Sequence, residues 1–169
     1  MSDDSELLLR AEPYANSRGI RLIGKDMLGY GSDGWHSSRR TAVKAVYREK
    51  NFSQELECYR RLKAAGVRKV GALDVPFLED FDEDRRIIEI SIVQPPYLLD
   101  FGKVYLDQAP THLYDEQMMA NAHAEWNERF GKRWSEVRHA MRMLEKQGIY
   151  YYDPRPGNVC FGDEDEQEL

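Results

Sequence analysis

A glycine-rich segment that opens onto a strand, not a helix, places the tightest constraint on this chain. Gly29, Gly31 and Gly34 complete the spacing G-x-G-x-x-G. With no side chain at these positions, backbone N–H groups can approach a phosphate oxygen closely. In a dinucleotide-binding fold such a loop must begin a helix. Here residues 37–40, two serines and two arginines, lead into Thr41 to Tyr47, an alternating run rich in strand formers. The pattern predicts a glycine hairpin between strands and disfavours a Rossmann arrangement. A plain turn would also carry these glycines, so the chemistry has to come from residues further along the chain.

Lys44 stands in that strand among Val43, Ala45 and Val46. A lysine so placed either snorkels to the surface or is held by a partner inside. From Phe52 to Ala65 the apolar positions Phe52, Leu56, Tyr59 and Leu62 recur at helical spacing, and Gly66 supplies a stop. Glu55 lies on this helix. Its carboxylate would keep the Lys44 ammonium protonated and aimed at phosphate oxygens. Glu57 competes for the role, but Glu55 shares the inward face with Tyr59 and Leu62.

Residues 20–28 read as the strand that precedes the glycines. Val75 to Leu78 leads through a turn over 79–86 into a strand at 87–93, ended by Gln94, Pro95 and Pro96. Helices are predicted near 114–129 and 134–147, with Gly131 and Gly148 as stops. Val137, Met141 and Leu144 share one face of the second. Strands, helix, strands, helices is the order of an α+β fold with a sheet-rich front and a helical back. After the last helix, Asp153 and Asn158 stand at the spacing D-x-x-x-x-N. In phosphoryl transfer such an aspartate orients the attacking hydroxyl and accepts its proton, and the asparagine binds a metal ion. Arg155 would neutralise charge on the transferring group. The structural alternative is a proline-rich turn whose Asp and Asn cap the backbone.

Charge sharpens this reading. The net charge is -6, and five of the acids lie in residues 163–168, whereas residues 18–69 hold 13 Lys or Arg against 5 Asp or Glu. A basic half favours an anionic partner such as a nucleotide. Part of it is explained by a solvated helix face of Arg60, Arg61 and Lys63. Aromatic residues do not interleave with these cations, which argues against single-stranded nucleic acid. Cys58 and Cys160 are the only cysteines, too few for a disulfide scaffold or a Cys-rich zinc site. Leu7 to Leu9 is too short for a signal peptide or a membrane span. A cytoplasmic protein without a membrane segment is expected. His36, His112, His123 and His139 show no metal spacing.

Taken in order, the glycine loop, Ala42-Val43-Lys44, the helix glutamate and Tyr151-x-Asp153-x-x-x-x-Asn158 resemble the eukaryotic-like protein kinase superfamily. The likeness covers roughly residues 20–161 and extends to a group of short, kinase-like bacterial proteins. It implies a minimal protein-kinase-like fold. Residues 1–19 would be an N-terminal extension, 20–97 an antiparallel-sheet N-lobe with one helix, 98–162 a truncated helical C-lobe and 163–169 an acidic tail. It also implies that Gly29, Gly31 and Gly34 cover ATP while Lys44 holds its phosphates and pairs with Glu55. Asp153 would be the catalytic-loop aspartate, Asn158 a Mg2+ ligand, and 91–97 the hinge against adenine.

The departures from that family are as informative. Tyr151 stands where the histidine of H-R-D is usual, the gap from Gly34 to Lys44 is short, and no D-F-G follows Asn158. Asp163 or Asp165 of the tail would then have to supply the metal ligand. Without the lower helices, apolar surface near 114–147 should be exposed for a protein partner or a homodimer to cover. The expectation is a nucleotide-binding pseudokinase or weak phosphotransferase. The alternatives are a small active phosphotransferase that uses the tail for metal, and an interaction module without nucleotide.

Overall fold

The computed structural model describes residues 3–26, 32–111, 115–152 and 154–162. In chain order these form α1 (Asp3–Arg18), β1 (Leu22–Asp26), β2 (Ser32–Ser37), β3 (Thr41–Val46), α2 (Glu49–Ala64), β4 (Lys69–Val70), β5 (Leu73–Asp74), β6 (Leu78–Asp82) and β7 (Ile87–Ser91). There follow β8 (Tyr97–Leu98), β9 (Tyr105–Leu106), α3 (Glu116–Phe130), a single 3-10 turn at Gly131–Arg133, α4 (Trp134–Glu145), β10 (Ile149–Tyr150) and β11 (Val159–Cys160). The α+β class read from the sequence holds.

β1, β2, β3, β7 and β6 make a five-stranded sheet in that order, antiparallel throughout. Side chains alternate between its faces, and helices cover both. Val43 and Ala45 of β3 and Ile87 of β7 pack against Leu7, Ala11, Tyr14 and Ala15 of α1. Ala42, Val46, Ile88 and Ile90 face the other way, onto Phe52, Leu56, Tyr59 and Leu62 of α2. Two covered faces explain why β3 and β7 read as nearly continuous apolar runs.

The second half is built on small pieces. β11, β8, β5 and β4 form one sheet, in which β5 and β8 run parallel, and β9 and β10 form a separate antiparallel ribbon. α3 and α4 pack over these strands, and Trp126, Trp134, Val137, Met141, Leu144 and Ile149 join the same core as the α2 side of the large sheet. The division expected at residues 97 and 98 falls inside β8.

Three differences from the sequence reading have local causes. The turn at 79–86 is tighter, because β6 continues to Asp82 and pairs with β7, leaving residues 83–86 to reverse the chain. The first 19 residues hold a docked helix whose signal is blurred by the apolar run Leu7 to Leu9 and by Pro13 inside it. Gly19 at φ +61 stops α1, and the Ile20 N–H returns to the Ala15 carbonyl at 3.0 Å. The apolar patch expected on the helical half is absent among the described residues. There α3 and α4 expose one large apolar side chain, Met118.

α1 is fastened by a buried carboxylate. Glu89 of β7 is 1% exposed and accepts from Tyr14 Oη at 2.7 Å and Thr41 Oγ1 at 2.6 Å, with Arg18 Nε at 3.5 Å. Tyr14→Phe strips one donor from a charge that water cannot reach. It should cost about 1–3 kcal/mol in urea unfolding while the helical signal stays intact. A neutral result would show that Thr41 and Arg18 satisfy Glu89 without α1.

Candidate functional site

Strand β3 turns Lys44 towards α2, where the residue is 3% exposed and its ammonium lies 2.8 Å from Glu55 Oε1. Both side chains are enclosed, at 4% and 1% exposure, so the pair is held out of water. The helix periodicity that placed Glu55 inward with Tyr59 and Leu62 is observed. Glu57 points elsewhere and accepts from Arg61 Nε at 2.9 Å. Gly34 lies directly across from Lys44 in the β2–β3 register, with Ile88 on the other flank. Cross-strand partners project to the same face, so on the Gly34 side the lysine looks along bare backbone.

A third charge joins the pair. Asp100 Oδ1 lies 3.6 Å from Lys44 Nζ, which puts two carboxylates on one ammonium. Asp100 sits at φ +62 and its Oδ1 takes the Gly102 N–H at 3.3 Å. Burial works against the Lys44 charge, but Glu55 and then Asp100 overcome it and hold the ammonium above its usual range. Burial pushes the Glu55 carboxyl up, against the pull of Lys44.

Between these groups Phe101 is fully buried. It meets Tyr59 of α2 edge-on at 5.2 Å and Tyr151 at 5.9 Å. The Tyr151 hydroxyl donates to the Leu99 carbonyl at 3.0 Å. On the other side of Leu99, its N–H donates to the Asn158 carbonyl at 2.7 Å, as an extension of the β8–β11 pairing of Leu98 with Val159. Asn158 is thereby set next to Asp100. Its own N–H closes a turn onto the Arg155 carbonyl at 2.8 Å.

Of the residues expected in a site, Lys44, Glu55 and Gly34 are brought together, and the Arg155–Asn158 turn is joined to them through Leu99. Gly29, Gly31, Asp153 and the tail residues Asp163 and Asp165 lie outside the described residues. Residues 91–97 link the large sheet to β8; Ser91 Oγ accepts the Phe77 N–H at 2.8 Å and the Pro95–Pro96 bond is cis. Cys160 is on β11 and half-buried, Cys58 is buried, and both are free thiols.

Asp100 is the participant that motif order does not point to, because it stands ahead of both helices and not after Asn158. The letters Asp100-Phe101-Gly102 were there to be read; strand pairing alone gives them their place. Among the described residues no group of three or more His, Cys, Asp or Glu side chains is arranged to hold a metal ion, and no helix is long and apolar enough to cross a membrane. Compared with known proteins, the chain matches no family model and no curated sequence.

Removing the lysine tests the electrostatics. In Lys44→Met the buried Glu55 and the partly buried Asp100 lose their counter-charge, which should cost about 3–5 kcal/mol at neutral pH. The Glu55 pKa then rises further above its unfolded value, so the folded state holds a proton that the unfolded state has released. Stability of the variant should therefore fall as pH rises and recover as pH drops through the carboxylate range. Urea unfolding across that range checks it. A deficit independent of pH would mean that Glu55 is not the group left uncompensated.

Proposed function

We propose that this protein binds a nucleoside triphosphate with a divalent cation in a protein-kinase-like arrangement, with a capacity for phosphoryl transfer. The observation that carries the reading is the buried Lys44–Glu55 pair with Asp100 against it, beside the bare backbone of Gly34 on the neighbouring strand. A five-stranded antiparallel sheet whose third strand offers a lysine to a helix glutamate supports the kinase-like fold over a generic α+β one.

Each residue has a role dictated by its surroundings. Lys44 is fixed, protonated and enclosed, so it presents a charge to phosphate oxygens without first having to be ordered. Glu55 holds it there. Gly34, and with it Gly29 and Gly31, would let backbone N–H groups close over the phosphates. Two carboxylates against one ammonium leave the cluster with one unbalanced negative charge, which would repel a triphosphate on its own.

A divalent cation would offset that charge. The Asp100 carboxylate lies against Lys44, and Asn158, whose backbone is bonded to Leu99, would offer a second hard oxygen from its side-chain amide. Mg2+ is commonly held by one or two carboxylates plus the phosphates of its nucleotide, not by a protein cage. Bound there, the cation would neutralise charge on the phosphates. Asp100 would thus supply the ligand that sequence order left to Asp163 or Asp165. Asp153 would orient an acceptor hydroxyl and take its proton, and Arg155 would offset charge on the transferring group.

Thermal unfolding with ATP, with and without magnesium, tests the reading. A ligand that prefers the folded state adds about 2.7 kcal/mol at a hundredfold excess over its dissociation constant. The wild type should show a shift that magnesium enlarges. Asp100→Asn should lose the magnesium increment, and Asp153→Asn should lose phosphoryl transfer while still binding. No shift at millimolar ATP would overturn the proposal and leave an interaction module.

A further inference from the structure

Arg61 is one turn and a half beyond Glu55 on α2, and by pattern it belongs to a solvated face. The structure gives it five contacts instead. Its Nε donates to Glu57 at 2.9 Å. Nη1 and Nη2 grip Asp107 in a fork, at 2.7 and 2.9 Å, and Nη1 also reaches the carbonyls of Gln147 and Gly148 at 3.4 and 3.3 Å. Neighbouring Arg60 has a simpler setting. It pairs with Glu83 and lies over the Phe81 ring at 4.5 Å.

The partners of Arg61 outside α2 lie at one end of the β9–β10 ribbon. Asp107 directly follows β9, Gly148 directly precedes β10, and the Asp107 N–H donates to the Gly148 carbonyl at 2.8 Å. In the chain this ribbon joins the segment whose Asp100 meets Lys44 to the segment whose Tyr151 and Asn158 are bonded to the Leu99 backbone. Upstream of β9 runs Asp100 to Gly102, and downstream of β10 run Tyr151 and the turn to Asn158. The junction is shaped for the guanidinium. Gly148 is at φ +70, and a Cβ there would stand 2.7 Å from Arg61 Nη1 and 2.9 Å from Asp107 Oδ1.

We infer that Arg61 is a positioning residue of the nucleotide site, a latch that ties the helix bearing Glu55 to the ribbon from which Asp100 and Asn158 are hung. The inference rests on the nucleotide reading for its effect on ligand, whereas the latch itself is a statement about α2. A surface ion pair on its own adds little to stability. This one is bidentate and joined to two carbonyls and a second carboxylate, so its consequence is alignment. If the unlatched helix holds Glu55 in register a tenth of the time, apparent nucleotide affinity falls about tenfold.

The test compares Arg61→Gln and Arg61→Lys with Arg60→Gln on the full chain. Titration with ATP and magnesium should give about tenfold weaker binding for Arg61→Gln. Arg61→Lys should also be impaired, because lysine lacks the fork, and Arg60→Gln should match the wild type even where its unfolding midpoint is lower. Hydrogen exchange without nucleotide is the second arm. Amides of residues 55–62 should exchange faster in Arg61→Gln than in Arg60→Gln. Wild-type affinity and unchanged exchange in a folded Arg61→Gln would overturn the latch. If the wild type itself does not bind ATP, the nucleotide reading fails while the exchange arm still decides whether Arg61 aligns α2.

Discussion

A lysine ammonium buried between two carboxylates is the constraint around which the rest of this structure is arranged. An ion pair this far from water is stable only when each charge is closely matched, because desolvation otherwise outweighs the attraction. Lys44 therefore needs β3 and α2 to meet at one distance, and both elements are packed to provide it. Val43 and Ala45 anchor β3 to α1 behind, while Ala42 and Val46 join the α2 core in front. The Phe101 ring fills the space between Tyr59 and Tyr151. The apolar packing serves the polar centre.

The second carboxylate changes what such a centre can do. With Glu55 alone, Lys44 would be a neutralised structural pair. With Asp100 added, the cluster carries a surplus negative charge next to Asn158, where strand β11 meets β8. The segment is fixed from three sides, by the Leu99 N–H, the Leu99 carbonyl and the Gly102 N–H. The ribbon that these segments flank is gripped by Arg61, which joins it to α2.

Much of this was legible along the chain. Alternation and strand-forming residues marked β3, an apolar run marked β7, and helical spacing marked α2 and α4 together with the inward position of Glu55. The preference for Glu55 over Glu57 followed from one helical wheel. α1 was not legible, since three successive leucines and an internal proline hide the Leu7, Ala11, Tyr14 and Ala15 stripe. Nor was Arg61, which on a wheel is simply one more cation on the polar side. Glu89 was not singled out along the chain, and its burial is satisfied by Tyr14 and Thr41, which the fold brings against it.

The sequence by itself determined the α+β order, the strand lysine, the helix that faces it and the D-x-x-x-x-N turn, because each depends on residues within a few positions of one another. Tertiary structure decided which charges share Lys44. Asp100 and Asn158 are far apart in the chain and adjacent in space through the pairing of two very short strands, and two-residue strands carry almost no periodic signal. Their register comes from burying Leu98, Phe101 and Val159 in a core supplied by α2 and α4. That is a cooperative property of packing, and no local pattern encodes it.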